Sequence, residues 1–197
     1  MRTLTTRVYG LRFVTLLAAI IMVGAVSLAH AAVFTYSVSL SGPNESPVNA
    51  SPGIGTGQVD VNTTTNQMHV FVKFSGLIGN TTASHIHAPT AVAGTGTAGV
   101  ATTTPTFAGF PLGVKKGVYD IVLDMTLASS YNPSYITANG GTPASAEAAL
   151  FAAIAAGKAY LNIHSSSFTG GEIRGFLIDA TTAARDQSWG RIKALYR

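Results

Sequence analysis

Phe34-Thr35-Tyr36-Ser37-Val38-Ser39-Leu40 places an apolar residue at every second position. That period marks a strand with one face buried and the other in water. Ser41-Gly42-Pro43-Asn44 then breaks the pattern with turn residues. The alternation returns in Gly57-Gln58-Val59-Asp60-Val61. It continues, after a polar turn over 62–66, in Met68, Val70, Val72 and Phe74. Two such runs around a short turn read as a hairpin. Further strands are expected over 84–88, 99–103, 117–125, 159–164 and 172–178. Seven or eight short strands with turn signals between them predict an all-β fold, a Greek-key or immunoglobulin-like β-sandwich.

One short helix is expected near 143–156. Thr142 suits the N-cap and Pro143 the first helical position. Leu150, Phe151 and Ile154 fall on one face, and Gly157 ends it. The stretch over 129–141 reads as a loop.

The ends differ from this body. Arg2, Arg7 and Arg12 open the chain, an apolar run follows over 13–28, and Ala29-His30-Ala31 is a small-residue cut site. This order of parts is that of a cleavable secretory signal peptide. The expected organisation is a signal peptide over 1–31, one domain over 32–180 and a basic, aromatic tail over 181–197. An exported protein, periplasmic or extracellular, follows, with no transmembrane span after cleavage. The tail carries Trp189, Ile192, Leu195 and Tyr196 among cations. It reads as a frayed terminus or, less simply, as a short amphipathic segment touching a membrane surface.

The 197 residues include no cysteine, so no disulfide framework supports the domain. Without its two ends the body carries five basic and seven acidic residues, a net −2. Such a balance offers no footprint for nucleic acid. No P-loop, nucleophile elbow, H-E-x-x-H or dinucleotide fingerprint is present.

Two constellations remain. In Ser84-His85-Ile86-His87 the two histidines lie two residues apart, so a strand turns both to one face. In Tyr160-Leu161-Asn162-Ile163-His164, Tyr160, Asn162 and His164 share a face. If these strands are neighbours, His85, His87 and His164 converge. Three imidazoles with an open position suit copper or zinc. The plain alternative is three hydrogen-bonding residues of a sheet. His69 reads as an exposed strand residue. The second constellation is Gly170-Gly171-Glu172-Ile173-Arg174-Gly175, with a Gly-Gly turn. Glu172 and Arg174 read as a structural ion pair, with each other or with the polar ends of neighbouring strands. A general-base or metal-ligand role for Glu172 needs a placed partner and a cleft.

Ala159-Tyr160-Leu161-Asn162-Ile163-His164-Ser165 followed by Gly171-Glu172-Ile173-Arg174-Gly175 resembles the closing signature of the CHRD (chordin-type) domain. Ala155-Ala156-Gly157-Lys158, Ser84-His85-Ile86-His87-Ala88 and the opening Leu40-Ser41-Gly42 with Glu45-Ser46-Pro47-Val48 resemble it too. Thr169 departs from the family's frequent proline, and the 129–141 loop is longer than usual. The resemblance implies a β-sandwich module, here a bacterial-type, stand-alone exported member. It implies a non-enzymatic binding or structural role with an extracytoplasmic partner. In this motif Asn162, Gly170, Gly171, Glu172, Arg174 and Gly175 carry the structure. The alternative is a copper- or zinc-binding β-sandwich protein using His85, His87 and His164, with redox activity as a further option.

Overall fold

The computed structural model describes residues 33–180. The expected signal peptide and basic tail lie outside the described residues. The fold is mostly β and entirely antiparallel. β1 (Val33–Ser41), β2 (Ile54–Asn62), β3 (Gln67–Ser75), β4 (Thr81–His87), β5 (Gly117–Asp124), β6 (Tyr160–Ser165), β7 (Ile173–Phe176) and β8 (Ile178–Asp179) form one hydrogen-bonded sheet. Its order is β4-β6-β7-β1-β2-β3-β5, with β8 also on β1.

The alternating runs behave as their period dictates. β1 and β2 pair in full register from Val33↔Asn62 to Ser41↔Ile54, and β3 continues from β2. Tyr36, Val38, Leu40, Val59, Val61, Met68, Val70, Val72 and Phe74 are all buried. They meet Ile86, Leu161, Ile163 and Ile173 from the other arm of the sheet in one core cluster. The sheet therefore curls around its apolar side. Burying each such side chain contributes about 1.5–3 kcal/mol.

β4 and β6 break the alternation. Their residues are buried on both faces nearly throughout. On the second face the cover is irregular chain, and the polar side chains of these strands are enclosed beneath it.

Three local expectations change. Residues 99–103 form no strand, only bridges at His87↔Val100 and Thr102↔Tyr131. There the Thr102 hydroxyl accepts the Ile86 N–H at 2.9 Å, replacing a ladder bond with a side-chain bond. The expected 129–141 loop contains a second helix, α1 (Pro133–Ala138). Asn132 caps it by accepting the Ser134 N–H, and Pro133 fits its first turn. The expected last strand divides into β7 and β8 at Leu177, whose N–H turns to Ala159 O. The helix foreseen near 143–156 is α2 (Pro143–Ala155), with Thr142 and Ser145 in a reciprocal capping box.

The closing glycines differ in their roles. At Gly175 a Cβ would overlap Ser39 O, so β7 can approach β1 only without a side chain. Gly171 has φ +131°, and a Cβ there would strike the Glu45 carboxylate. Gly170 faces open space.

Candidate metal centre

The pairing of β4 with β6 decides whether the histidines meet. Its register is Ala83↔His164, His85↔Asn162 and His87↔Tyr160, with a shift between Thr81 and Ala83. Directly opposed residues share a sheet face. His85, His87, Tyr160, Asn162 and His164 therefore lie on one face, while Ile86, Leu161 and Ile163 enter the core.

The three imidazoles come together. One ring nitrogen from each lies within 4.8 Å of the others. Ring centroids are 5.2 Å apart for His85 and His164, 5.7 Å for His85 and His87, and 6.2 Å for His87 and His164. His85 and His87 are buried, and His164 is half-buried.

Each ring is oriented by a backbone carbonyl. His85 bonds Pro105 O through Nε2, His87 bonds Ala98 O through Nδ1 at 2.9 Å, and His164 bonds Thr169 O through Nδ1 at 2.8 Å. A carbonyl only accepts, so each of those nitrogens carries the proton. Each opposite nitrogen keeps a lone pair. Nδ1 of His85 and Nε2 of His164 are buried without any hydrogen-bond partner. Nε2 of His87 lies 3.1 Å from Oδ1 of Asn162. A neutral imidazole holds one N–H, so the amide must turn its NH2 toward this nitrogen or yield the place to an ion.

Burial lowers the pKa of all three. His85 falls to about 4, with a smaller contribution from the neighbouring imidazoles. His87 and His164 are lowered for the same leading reason. The rings stay neutral near pH 7, the form that ligates a metal.

A family model described as CHRD domain matches residues 36–177. The chain belongs to the CHRD domain family. No curated protein and no solved structure matches it.

In this CHRD domain the closing motif is tied to distant parts of the chain by hydrogen bonds and an ion pair. Glu172 is fully buried. Its Oε1 accepts from Ser51 Oγ at 2.6 Å and Ile78 N at 2.5 Å, and its Oε2 from Gly79 N at 3.2 Å. Burial pushes its pKa up, but bonds from Ser165, Ser51, Ile78 and Gly79 outweigh that and leave it lowered. Of the two partners expected for Glu172, it therefore takes the turn between β3 and β4, not Arg174. Arg174 sits 3.8 Å from Glu45 instead. Its guanidinium lies 4.8 Å from the centroid of Tyr160, and Tyr160 stacks on His87 at 4.8 Å and 3°.

His69 is not the simple exposed residue expected. It is half-buried and bridges two carboxylates, with Nδ1 3.2 Å from Asp60 and Nε2 2.7 Å from Asp120. The orienting carbonyls of Ala98, Pro105 and Thr169 were invisible to residue-type reasoning, since any residue supplies a carbonyl. The sequence marks Glu45 only as part of a family motif. Among the described residues no helix is long and apolar enough to cross a membrane.

Proposed function

We propose that this chain is an exported CHRD module whose binding function is to hold copper or zinc on His85, His87 and His164. One observation carries the reading: three adjoining imidazoles, two buried and one half-buried, each donate one N–H to a backbone carbonyl, and so keep a lone pair at the other nitrogen. Two of those lone pairs have no partner at all. Metal-ligating histidines are held in this way by their second nitrogen. Coordination through Nδ1 of His85 and Nε2 of His87 and His164 follows. Zinc–nitrogen bonds of about 2.0–2.1 Å in a tetrahedron put ligand nitrogens about 3.4 Å apart, so the rings close by roughly an ångström on binding. Three neutral nitrogens and an open position fit both metals.

A binding or structural role, rather than catalysis by Glu172, is supported by the full use of that carboxylate in hydrogen bonds. The Greek-key sandwich description, the signal peptide over 1–31 and the periplasmic or extracellular address belong to the same reading. The Arg-rich start, apolar run and A-x-A site support the address.

The test is metal titration of untagged protein by calorimetry, with bound metal counted by mass spectrometry. One ion per chain is expected, lost in His85→Ala, His87→Ala and His164→Ala and retained in His69→Ala. Wild-type protein that takes up neither copper nor zinc, or single variants that bind as wild type, would refute the site.

A further inference from the structure

Arg174 belongs to a second concavity on the histidine-bearing side of β7. A groove of about 970 Å³ is lined by Ser39, Asn44, Glu45, Ala155, Arg174 and Phe176 among others, and by none of the three histidines. Arg174 is 5 % exposed. Its guanidinium is fixed from three sides. Nε donates to Asn44 O, Nη1 donates to Gly96 O at 3.1 Å, and the plane lies over Tyr160 and Phe176.

Its counter-charge is incomplete. The Glu45 carboxylate is 3.8 Å from Nε, whose proton is already used on Asn44. Burial raises Glu45 to about 7 against the pull of Arg174, so near neutrality much of that carboxyl is protonated. Glu45 Oε1 is buried with no partner. A buried cation without a full partner is costly, and an anion at its free edge relieves that cost. Among the described residues Nη2 has no acceptor, and it is the nitrogen left to meet one.

The rest of the lining narrows the ligand. Arg174 is the one cation among the described residues that line the groove, which suits a singly charged anion better than a multiply charged one. Phe176 and Ile178 give it apolar wall. We propose that this groove binds a small monocarboxylate with an apolar body, the carboxylate on Nη2 of Arg174 and the hydrocarbon against Phe176. The inference does not depend on the metal site.

The experiment titrates metal-free protein, kept in chelator, with benzoate, benzyl alcohol and inorganic phosphate by calorimetry. Benzoate is expected to bind, with benzyl alcohol and phosphate weaker by roughly tenfold or more, the factor a lost charge-assisted hydrogen bond brings. Arg174→Gln should weaken benzoate by a similar factor. Because that change removes a buried group, Ala155→Trp is the second variant. Ala155 is exposed at the end of α2 and lines the groove, so a bulky ring there fills it without entering the core. Ala155→Trp should abolish benzoate binding while the thermal melt stays at the wild-type value. Absence of benzoate binding, equal binding of benzyl alcohol, or unchanged benzoate affinity in Ala155→Trp would each overturn the proposal.

Discussion

Replacing Glu172 with glutamine separates a structural carboxylate from a catalytic one. In the folded protein both oxygens accept: Ser51 Oγ and Ile78 N reach Oε1, Gly79 N reaches Oε2, and the Ser165 hydroxyl adds a further bond. Glutamine keeps one oxygen and presents an NH2 in place of the other. With its oxygen toward Ser51 and Ile78, the NH2 faces the Gly79 N–H, donor against donor. Leaving that buried N–H unsatisfied costs about 1–3 kcal/mol, and removing the charge from the remaining bonds costs several tenths to about 1 kcal/mol each. The sum is about 3 kcal/mol. For a domain of this size that lowers Tm by roughly 6–12 °C. Circular dichroism melts at neutral pH measure it, and copper titration well below Tm measures the second half of the prediction. Copper affinity should be unchanged, because Glu172 touches none of the three imidazoles. A melt within about 2 °C of wild type would remove the structural assignment. Loss of copper binding by a folded Glu172→Gln protein would place the carboxylate in the site after all. The pKa of Glu172 is lowered on folding, so its stabilisation is present above the unfolded value near 4.5 and is lost as pH falls through the folded one.

The His69 bridge gives the opposite sign. Hydrogen bonds donated to Asp120, then to Asp60, raise the His69 pKa above 6.5 despite its partial burial, so its contribution is complete below 6.5 and disappears as pH rises through the folded value. Asp60 is lowered overall, bonds from Thr35, Gln58 and His69 outweighing its burial, so its share is lost as pH falls below 3.8. The Tm gap between wild type and His69→Gln should therefore be wider near pH 5.5 than near pH 8.5, and equal gaps would discount the bridge. Gly175→Ala, whose Cβ would meet Ser39 O, should destabilise by about 1–3 kcal/mol or more, whereas Gly170→Ala, in open space, should melt as wild type. Similar melts for the two variants would mean that β7 does not press on β1 as described.

Some of this protein is decided locally, and there the chain alone was enough. The period-two alternation of β1, β2 and β3 needs only neighbours in sequence to pair, and each apolar set enters the core as its period requires. Thr142 and Pro143 announce α2 because a cap and a first turn are local chemistry. The H-x-H spacing puts His85 and His87 on one face of any strand. Asn132-Pro133 announced α1 in the same terms, but its six residues show too little apolar period to be read as a helix.

The meeting of His164 with that pair is a different matter. It rests on β4 and β6, more than seventy residues apart, pairing at Ala83↔His164. A slip of two residues would keep every side chain on its face yet carry His164 about 7 Å along the strand from the pair, and nothing in either strand alone forbids it. The carbonyls of Ala98, Pro105 and Thr169 that orient the rings come from loops, whose path depends on what they cover. The exchange of partners at the closing motif, Glu172 to the turn between β3 and β4 and Arg174 to Glu45, is likewise long-range. Sequence determines which groups a strand offers to a face. Only the folded chain decides which strands become neighbours, which loops close over them, and so which of those groups lose water and must find a partner.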